Sequence, residues 1–322
     1  MANYFNLFLI AMVVLMLNAD QNLIAPSMTE IAEEFNFTSE EKDLFLGGYI
    51  NIAFFVFGGL AALLAGYAAD VYDRRKAFSF IVLIGEIATL CTIFVTDYWG
   101  LFVTRLFTGI SLGGSYPILF SLMGDTFVDD WRGRAASLLQ IVSGAGVLFG
   151  QTIAALVAPS FGWRVPFAVI GIPAIAITFI FHYAVPEPKR GMKERVLQQM
   201  VDDAVIDESQ LESYHETMSM EKFCMLLRSK TVMILIFLAL PASLPWGFLL
   251  VYAQDFLMND VGKKIPDGIS ASESLLVIII FAISSAIGSI IGGLFTDRLW
   301  LKSPPRVAWL AAVSYIPCGS EL

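Results

Sequence analysis

The sequence predicts an all-α membrane protein made of two related helical halves, the second of them incomplete. Apolar residues make up 57% of the 322 residues and charged residues only 15%, a composition that cannot form a water-soluble surface. The apolar residues are grouped in helix-length stretches. A short charged motif after the second stretch returns after the eighth, which indicates an internal repeat.

The number of membrane spans follows from the lengths of these stretches, because a helix needs about 20 mainly apolar residues to cross the hydrocarbon core. Eight stretches meet this length, and a ninth begins near Arg306 and stops unfinished at Leu322. We therefore expect a truncated chain. The eight predicted spans cover residues 4–26, 43–69, 77–96, 99–123, 135–158, 165–185, 231–254 and 272–296.

A long polar interval separates the first six spans from the rest. We predict an N-terminal six-helix bundle over 1–186, a cytoplasmic central linker over 187–230 and a partial C-terminal bundle over 231–322. Within the linker, Met192–Met200 and Met220–Leu227 have helical apolar spacing. This spacing predicts short amphipathic helices at the membrane surface, although a plain tether remains an alternative.

Basic residues indicate the orientation, since cytoplasmic loops collect Lys and Arg. Loops on one side hold 15 basic residues and loops on the other hold 4, while Arg105 lies inside a span. The first helix is therefore expected to run from the cytoplasm outwards. The loop after it would lie outside, where Asn36 of Asn36-Phe37-Thr38 is a candidate glycosylation site.

Several classes of protein are excluded by the charges and by the scarcity of reactive side chains. The net charge of -9 argues against nucleic-acid partners. Cys91, Cys224 and Cys318 lack paired spacing, and His182 and His215 are isolated, so we expect no metal and no cofactor. The sequence contains none of the metal, phosphate or nucleophile motifs considered, and we expect no enzymatic activity.

The repeated motif combines glycine with charge where each pair of helices reaches the cytoplasmic side. Small residues let helix backbones approach closely, and charged side chains can bridge helix ends across the gap between the halves. The alternative is ordinary positive charge beside a helix end. The motif residues are Gly66, Asp70, Arg74 and Arg75 in the first copy and Gly293, Asp297 and Arg298 in the second.

With six spans, a basic linker and this repeat, the chain resembles the major facilitator superfamily of transporters. Arg105-Leu-Phe-Thr-Gly109 and the glycine-rich segment from Gly144 to Gly150 also match. The resemblance implies two six-helix halves that rock about a central site, a monomer, and a motif that latches the cytoplasmic gate. Asp73 departs from the family pattern, which usually has Gly there.

Within the superfamily, Asn18-Ala-Asp20-Gln21 and Gly124-Asp125 before Arg132-Gly133-Arg134 are similar to the Spinster-like lipid transporters. This resemblance adds lysolipids and sphingoid lipids to small organic solutes as expected substrates. Leu112 occupies the place where that group has an acidic residue, two turns past the Arg.

Asp20 and Arg105 are the charges predicted to lie inside the membrane. At about 1.5 Å per residue both fall in the outer half of their spans, where they can meet. An Asp that gains and loses an Arg partner during gating can couple proton movement to transport. The alternatives are an Asp20 exposed to water in the last helical turn and an Arg105 that only binds backbone carbonyls.

Further candidates for the substrate site are aromatic and small polar residues inside the spans. Packing between membrane helices explains such residues equally well. Pro241 and Pro245 interrupt the seventh span, so we expect the segment to Trp246 to bend near the cavity or simply to kink. The candidate residues are Tyr49, Asn51, Tyr116, Gln140, Trp246 and Tyr252.

The resulting expectation is a multi-pass transporter that moves a small organic solute or lysolipid by alternating access, with or without proton coupling. Its expected partners are the lipid bilayer and that substrate, in a plasma or endolysosomal membrane. A channel lacks support, since no selectivity filter is evident. The alternatives left open are a transporter-derived sensor and an inactive truncated transporter.

Overall fold

All regular secondary structure in the described part of the computed structural model is helical. The structure describes residues 2–126, 129–187, 220–230 and 252–261, with shorter pieces at 232–234, 236–237, 273–274, 276–284, 287–288 and 291. The helices are α1 (Ala2–Ala19), α2 (Met28–Glu34), α3 (Ser39–Glu41), α4 (Ile50–Val71), α5 (Arg74–Cys91), α6 (Tyr98–Thr126), α7 (Asp129–Phe161), α8 (Val165–Ala184), α9 (Met220–Arg228) and α10 (Ala253–Phe256).

Six helical segments among the described residues are long and apolar enough to cross a membrane, which confirms the first six predicted spans. They cover Phe5–Glu34, Ser39–Val71, Arg74–Phe94, Tyr98–Asp125, Ser137–Phe161 and Val165–Ala184. The seventh and ninth predicted spans, Met192–Met200, the segment from Pro241 to Trp246, Gly293, Asp297 and Arg298 lie wholly or largely outside the described residues. The eighth predicted span is described only in short helical pieces, at 273–274, 276–284, 287–288 and 291.

The first span is longer than predicted, because the helical path continues past Pro26. Two 3₁₀ turns, Asp20–Asn22 and Ala25–Ser27, connect α1 to α2. Pro26 lies in the first positions of the second turn. An amide N–H there has no intrahelical partner in any case, so proline is tolerated where the hydropathy pattern suggested an end.

Glycine allows the closest helix contacts in this bundle. Helices α4 and α5 both pack along α6, and α1 packs along α7 and α8. A Cβ placed on Gly58 of α4 would lie 2.7 Å from the carbonyl oxygen of Gly109 in α6. On the other side of the bundle, Gly146 and Gly150 of α7 bring that helix against the backbone of α1. Small residues four apart are a usual device for close packing in membranes.

Two apolar clusters fill the bundle, one near each end. The cluster at the end that contains Arg74 includes Val14, Phe78 and Phe181, and we call this end the Arg74 end. The cluster at the opposite end includes Trp163 and Phe167.

Polar side chains lie between these clusters along the helices, and we call them the polar layer. On α6, for example, they follow Leu101 of one cluster and precede Ile118 of the other. The layer consists of the buried residues Asn18, Asp20, Glu86, Thr89, Thr92, Thr104, Arg105, Thr108, Ser111, Ser115 and Ser143.

An ion pair connects helical segments at the end of the bundle opposite the Arg74 end. Arg164, just before α8, donates to both carboxylate oxygens of Glu34, at 2.9 and 2.6 Å. The indole of Trp163 donates to the same carboxylate at 2.7 Å, and Arg164 also donates to the Val95 carbonyl. These contacts join the end of α2 to the connections before α6 and α8.

The predicted linker helix at Met220–Leu227 corresponds to α9, which confirms that helix. Its apolar side chains Met225, Leu226 and Leu227 are exposed among the described residues. The bounds of the three predicted domains remain a prediction.

The close contact of α4 with α6 predicts that Gly58→Ala destabilises the protein by about 1 to 3 kcal/mol, the usual cost of overpacking. The added methyl would meet the backbone of Gly109, which cannot move aside as a side chain can. Gly59→Ala is the matched control, because a Cβ there meets no described atom within 4 Å. Thermal unfolding of the detergent-solubilised variants measures the difference. Equal melting temperatures for the two variants would contradict this account of the packing.

Candidate functional site

The centre of the polar layer is Asp20, at the first position of the 3₁₀ turn that follows α1. Only 3% of its surface is exposed, so the alternative of a water-exposed Asp20 is not what the structure shows. The hydroxyl of Thr89, near the end of α5, donates to a carboxylate oxygen of Asp20 at 2.6 Å. This hydrogen bond fixes the carboxylate against α5.

Arg105 connects three helical segments at this place. It is 2% exposed, and its guanidinium donates to the main-chain carbonyl oxygen of Asp20 at 3.2 Å and to the hydroxyl of Thr92 at 3.2 Å. The guanidinium also lies over the ring of Phe167, 4.9 Å from its centroid, which adds a cation–π contact from α8. The structure thus brings Asp20 and Arg105 together, and their direct hydrogen bond uses a backbone carbonyl.

Glu86 is a third charged residue of this site, and our reasoning from the sequence missed it. It is 0% exposed, and neither carboxylate oxygen has a hydrogen-bond partner among the described residues. It lies close enough to Asp20 and Arg105 to interact electrostatically with both. We call Asp20, Glu86 and Arg105 the buried triad. The available signal was that Glu86 is the only charged residue from 77 to 96.

A second polar group joins α1, α6 and α7 within the same layer. The hydroxyl of Tyr116 donates to the side-chain oxygen of Asn18 at 3.2 Å and lies 3.0 Å from the hydroxyl oxygen of Ser143. The amide of Asn18 donates to the Val14 carbonyl. Gly146 leaves room for this arrangement, since a Cβ there would lie 3.0 Å from Cβ of Asn18.

The other described candidates do not gather around the triad. The Asn51 amide donates to the Gly47 carbonyl of the preceding turn at 2.9 Å, and Gln140 is exposed on α7. Tyr49 is exposed and packs edge-on against Phe45. These contacts agree with the packing alternative.

Tyr252, which precedes α10, instead joins the two parts of the chain. Its ring lies against Gly47, and its hydroxyl donates to the main-chain carbonyl of Asp43 at 3.1 Å. The described residues 252–261 therefore touch the start of the second span, away from the Arg74 end.

The motif at the Arg74 end forms a charge cluster inside the first half. Arg74 is 2% exposed and forms ion pairs with Asp125 of α6 and, at 3.0 Å, with Glu187 after α8. It also donates to the Ser121 carbonyl at 3.2 Å. The Glu187 carboxylate accepts the backbone amide of Arg75 at 2.8 Å, so it caps the start of α5 as well. We call Arg74, Asp125 and Glu187 the Arg74 cluster.

Asp73, the departure from the family pattern, has a clear local role. It is the N-cap residue of α5, and its carboxylate accepts the backbone amide of Lys76 at 3.0 Å. Burial alone would raise the pKa of this carboxyl, but the Lys76 amide and the charges of Arg75 and Lys76 lower the pKa below its usual range. A residue without a side chain would leave this capping bond unmade.

The remaining motif residues of the first copy, Gly66 and Asp70, lie near the end of α4. No described atom lies within 4 Å of a Cβ placed on Gly66. The expected role of Gly66 in close helix packing therefore stays a prediction. Asp70 is half-buried.

Curated relatives resemble the chain over about half of its length. The niacin transporter NiaP of Acinetobacter baylyi is 30% identical over 168 residues, which are 52% of this chain and 37% of the relative. The cis,cis-muconate transport protein of the same species is 29% identical over 191 residues, 59% of this chain and 45% of the relative. The chain thus spans less than half of the length of either relative.

The fold is shared with a solved structure of a bacterial homologue of the human lysosomal transporter Spinster. The TM-score is 0.71 at 18% identity, over 94% of this chain and 64% of that one. The family model of the Major Facilitator Superfamily matches residues 10–319, nearly the whole chain. The chain therefore belongs to the Major Facilitator Superfamily and is an integral, multi-pass membrane protein.

Proposed function

We propose that the chain carries a small organic solute across a membrane by alternating access. Membership of the superfamily and the two relatives named as transport proteins support this proposal. The same relatives favour a carrier over an enzyme.

The observation that carries the proposal is the burial of charge in the polar layer. Asp20 and Arg105 lie inside helices of membrane-spanning length. A charge at the centre of a membrane helix costs at least about 2.5 kcal/mol even on insertion scales. Because an apolar side chain would avoid this cost, charges retained there point to movement of a solute or an ion.

The second polar group supports a polar solute as the proposed substrate class. Asn18, Tyr116 and Ser143 offer both donors and acceptors, which can orient a polar solute after it displaces one of their mutual hydrogen bonds. A lysolipid is the second expected class, but the likeness to the Spinster homologue extends to the fold alone. Leu112, in place of an acidic residue, also separates this chain from the Spinster-like pattern.

Asp20 and Arg105 form the proposed coupling element. Arg105 holds the backbone carbonyl of Asp20, while the Asp20 carboxylate is held by Thr89. A change of charge at Asp20 would alter the attraction of the guanidinium to this turn. Since the turn belongs to the first span, that change can bias the rocking of the first half.

The Arg74 cluster is the proposed base of the cytoplasmic gate. It ties the start of α5, the end of α6 and the segment after α8 into one unit. A rigid first half lets gating occur as a movement against the second half. The latch that the two copies of the motif are expected to form across the cytoplasmic gap remains part of this proposal.

Asp20→Asn is expected to abolish gradient-dependent uptake, because the neutral amide removes the negative charge that Asp20 contributes beside Arg105. The measurement is uptake into proteoliposomes of nicotinate, cis,cis-muconate, a sugar and a lysophospholipid, with and without a proton gradient. Asp97→Asn makes the same substitution at an exposed position and should leave uptake unchanged.

The outcomes of this assay separate the alternatives. Gradient-dependent uptake that Asp20→Asn retains would remove Asp20 from the coupling element. A solute that binds the purified chain without net flux would replace the carrier with a transporter-derived sensor. Neither binding nor flux for the whole panel would contradict the proposed substrate classes.

Arg74→Ala is expected to lower the free energy of unfolding by about 3 kcal/mol, since it leaves the partly buried Asp125 and Glu187 without their shared counter-charge. Lys76→Ala is the control: its side chain is 64% exposed, and surface ion pairs contribute about 0 to 1 kcal/mol. Thermal unfolding in detergent compares the two variants. A loss for Arg74→Ala no larger than that for Lys76→Ala would exclude the Arg74 cluster as a rigid base.

A further inference from the structure

The buried triad contains two acids and one base. If all three groups were ionised, the triad would carry a net charge of minus one in the interior of the bundle. Each of the three residues is at most 3% exposed, so water does not offset that charge at the protein surface. One bound proton would make the triad neutral.

The hydrogen bonds indicate where that proton is held. The Asp20 carboxylate accepts the Thr89 hydroxyl at 2.6 Å. Both oxygens of Glu86 lack a donor among the described residues, and so no described hydrogen bond favours an ionised Glu86 carboxylate. The Arg105 guanidinium, the nearest cation, directs its hydrogen bonds to the Asp20 carbonyl and to Thr92 instead.

Within the described part of the chain, the elements around Glu86 supply no further counter-charge near it. Among the residues of α8 from 165 to 181 there is no charged side chain, and the charged residue of α4, Asp70, lies at the Arg74 end. Asp20 of the first span and Arg105 of α6 are the charged residues that interact electrostatically with Glu86. The charge state of Glu86 therefore depends on these two groups.

We propose that Glu86 holds the coupling proton in this conformation, as the second carboxyl of a triad that shares one proton around Arg105. The proton comes from water on one side of the membrane. When it leaves to water on the other side, Glu86 becomes an anion one helical turn from Thr89, within reach of Arg105. The guanidinium then exchanges the Asp20 carbonyl for the Glu86 carboxylate. This inference rests on the proposed carrier function and names its ion and the residue that binds it.

Infrared spectroscopy tests the proton directly, without transport. The purified chain should show the C=O stretch of a protonated, water-shielded carboxyl group that shifts in D₂O. Glu86→Gln should remove this band, while Glu86→Asp, which keeps an acid, and Glu33→Gln, the same change at an exposed position, should retain it. Matching thermal unfolding and elution of the Glu86→Gln variant would show that it is folded.

Absence of the band from the parent chain, or its persistence in Glu86→Gln, would overturn the inference. Loss of the band on adding sodium ions at constant pH would do the same, since the site would then bind a metal cation. If the variant does not fold, the band of Glu86→Asp decides: a retained band with a shifted frequency supports Glu86 as the carrier, and an unshifted band overturns it.

Transport provides the second measurement. In Glu86→Gln, solute should still exchange across the membrane. A proton gradient should no longer accumulate it, so the ratio of the solute concentrations inside and outside the proteoliposomes should fall to one. Different outcomes would contradict the carrier proposal and the assignment of the proton to Glu86. A parent chain with the band but without any uptake would end the carrier proposal alone, whereas gradient-driven uptake that survives in Glu86→Gln would end the proton assignment alone.

Discussion

The burial of Arg105 is the constraint on which the first half of the protein depends. A guanidinium in a membrane-spanning bundle must find acceptors and counter-charge within the protein, because the lipid offers neither. Arg105 obtains them from the turn after α1 and from Thr92, and it rests on Phe167 of α8. The turn after α1, the turn at Thr92, α6 and α8 therefore all contact one another through Arg105, and this contact lies in the polar layer.

The apolar clusters and the glycine contacts make this meeting geometrically possible. The clusters exclude water and lipid above and below the polar layer, so its hydrogen bonds form in a medium of low polarity, where they are strong. Gly58 with Gly109, and Gly146 with α1, bring backbones close enough for short side chains such as Thr and Ser to reach across helices. Longer residues at these positions would separate the helices and leave the same polar groups without partners.

Much of this fold was predictable from the sequence, because hydrophobic length is a strong signal. The first six spans were predicted within a few residues, except where Pro26 continues a helical path. The meeting of Asp20 with Arg105 followed from their depth in antiparallel helices. Glu86 was missed, because a lone acid in an apolar span forms no motif and its neighbours come from distant segments. Tyr49 and Gln140 were proposed on residue type alone, and residue type does not say whether a helix face lines a cavity or lies on the outside of the bundle.

The two charge clusters of the first half differ in a way that bears on motion. In the Arg74 cluster the two carboxylates bind the guanidinium directly, and one of them also caps a helix, so both carboxylates have hydrogen-bond donors. In the buried triad the guanidinium binds a carbonyl, and one carboxyl has no donor. The Arg74 guanidinium therefore already binds both carboxylates of its cluster, whereas the Arg105 guanidinium makes no hydrogen bond to the Glu86 carboxylate. The carrier proposal therefore assigns rigid support to the Arg74 end and the change of state to the polar layer.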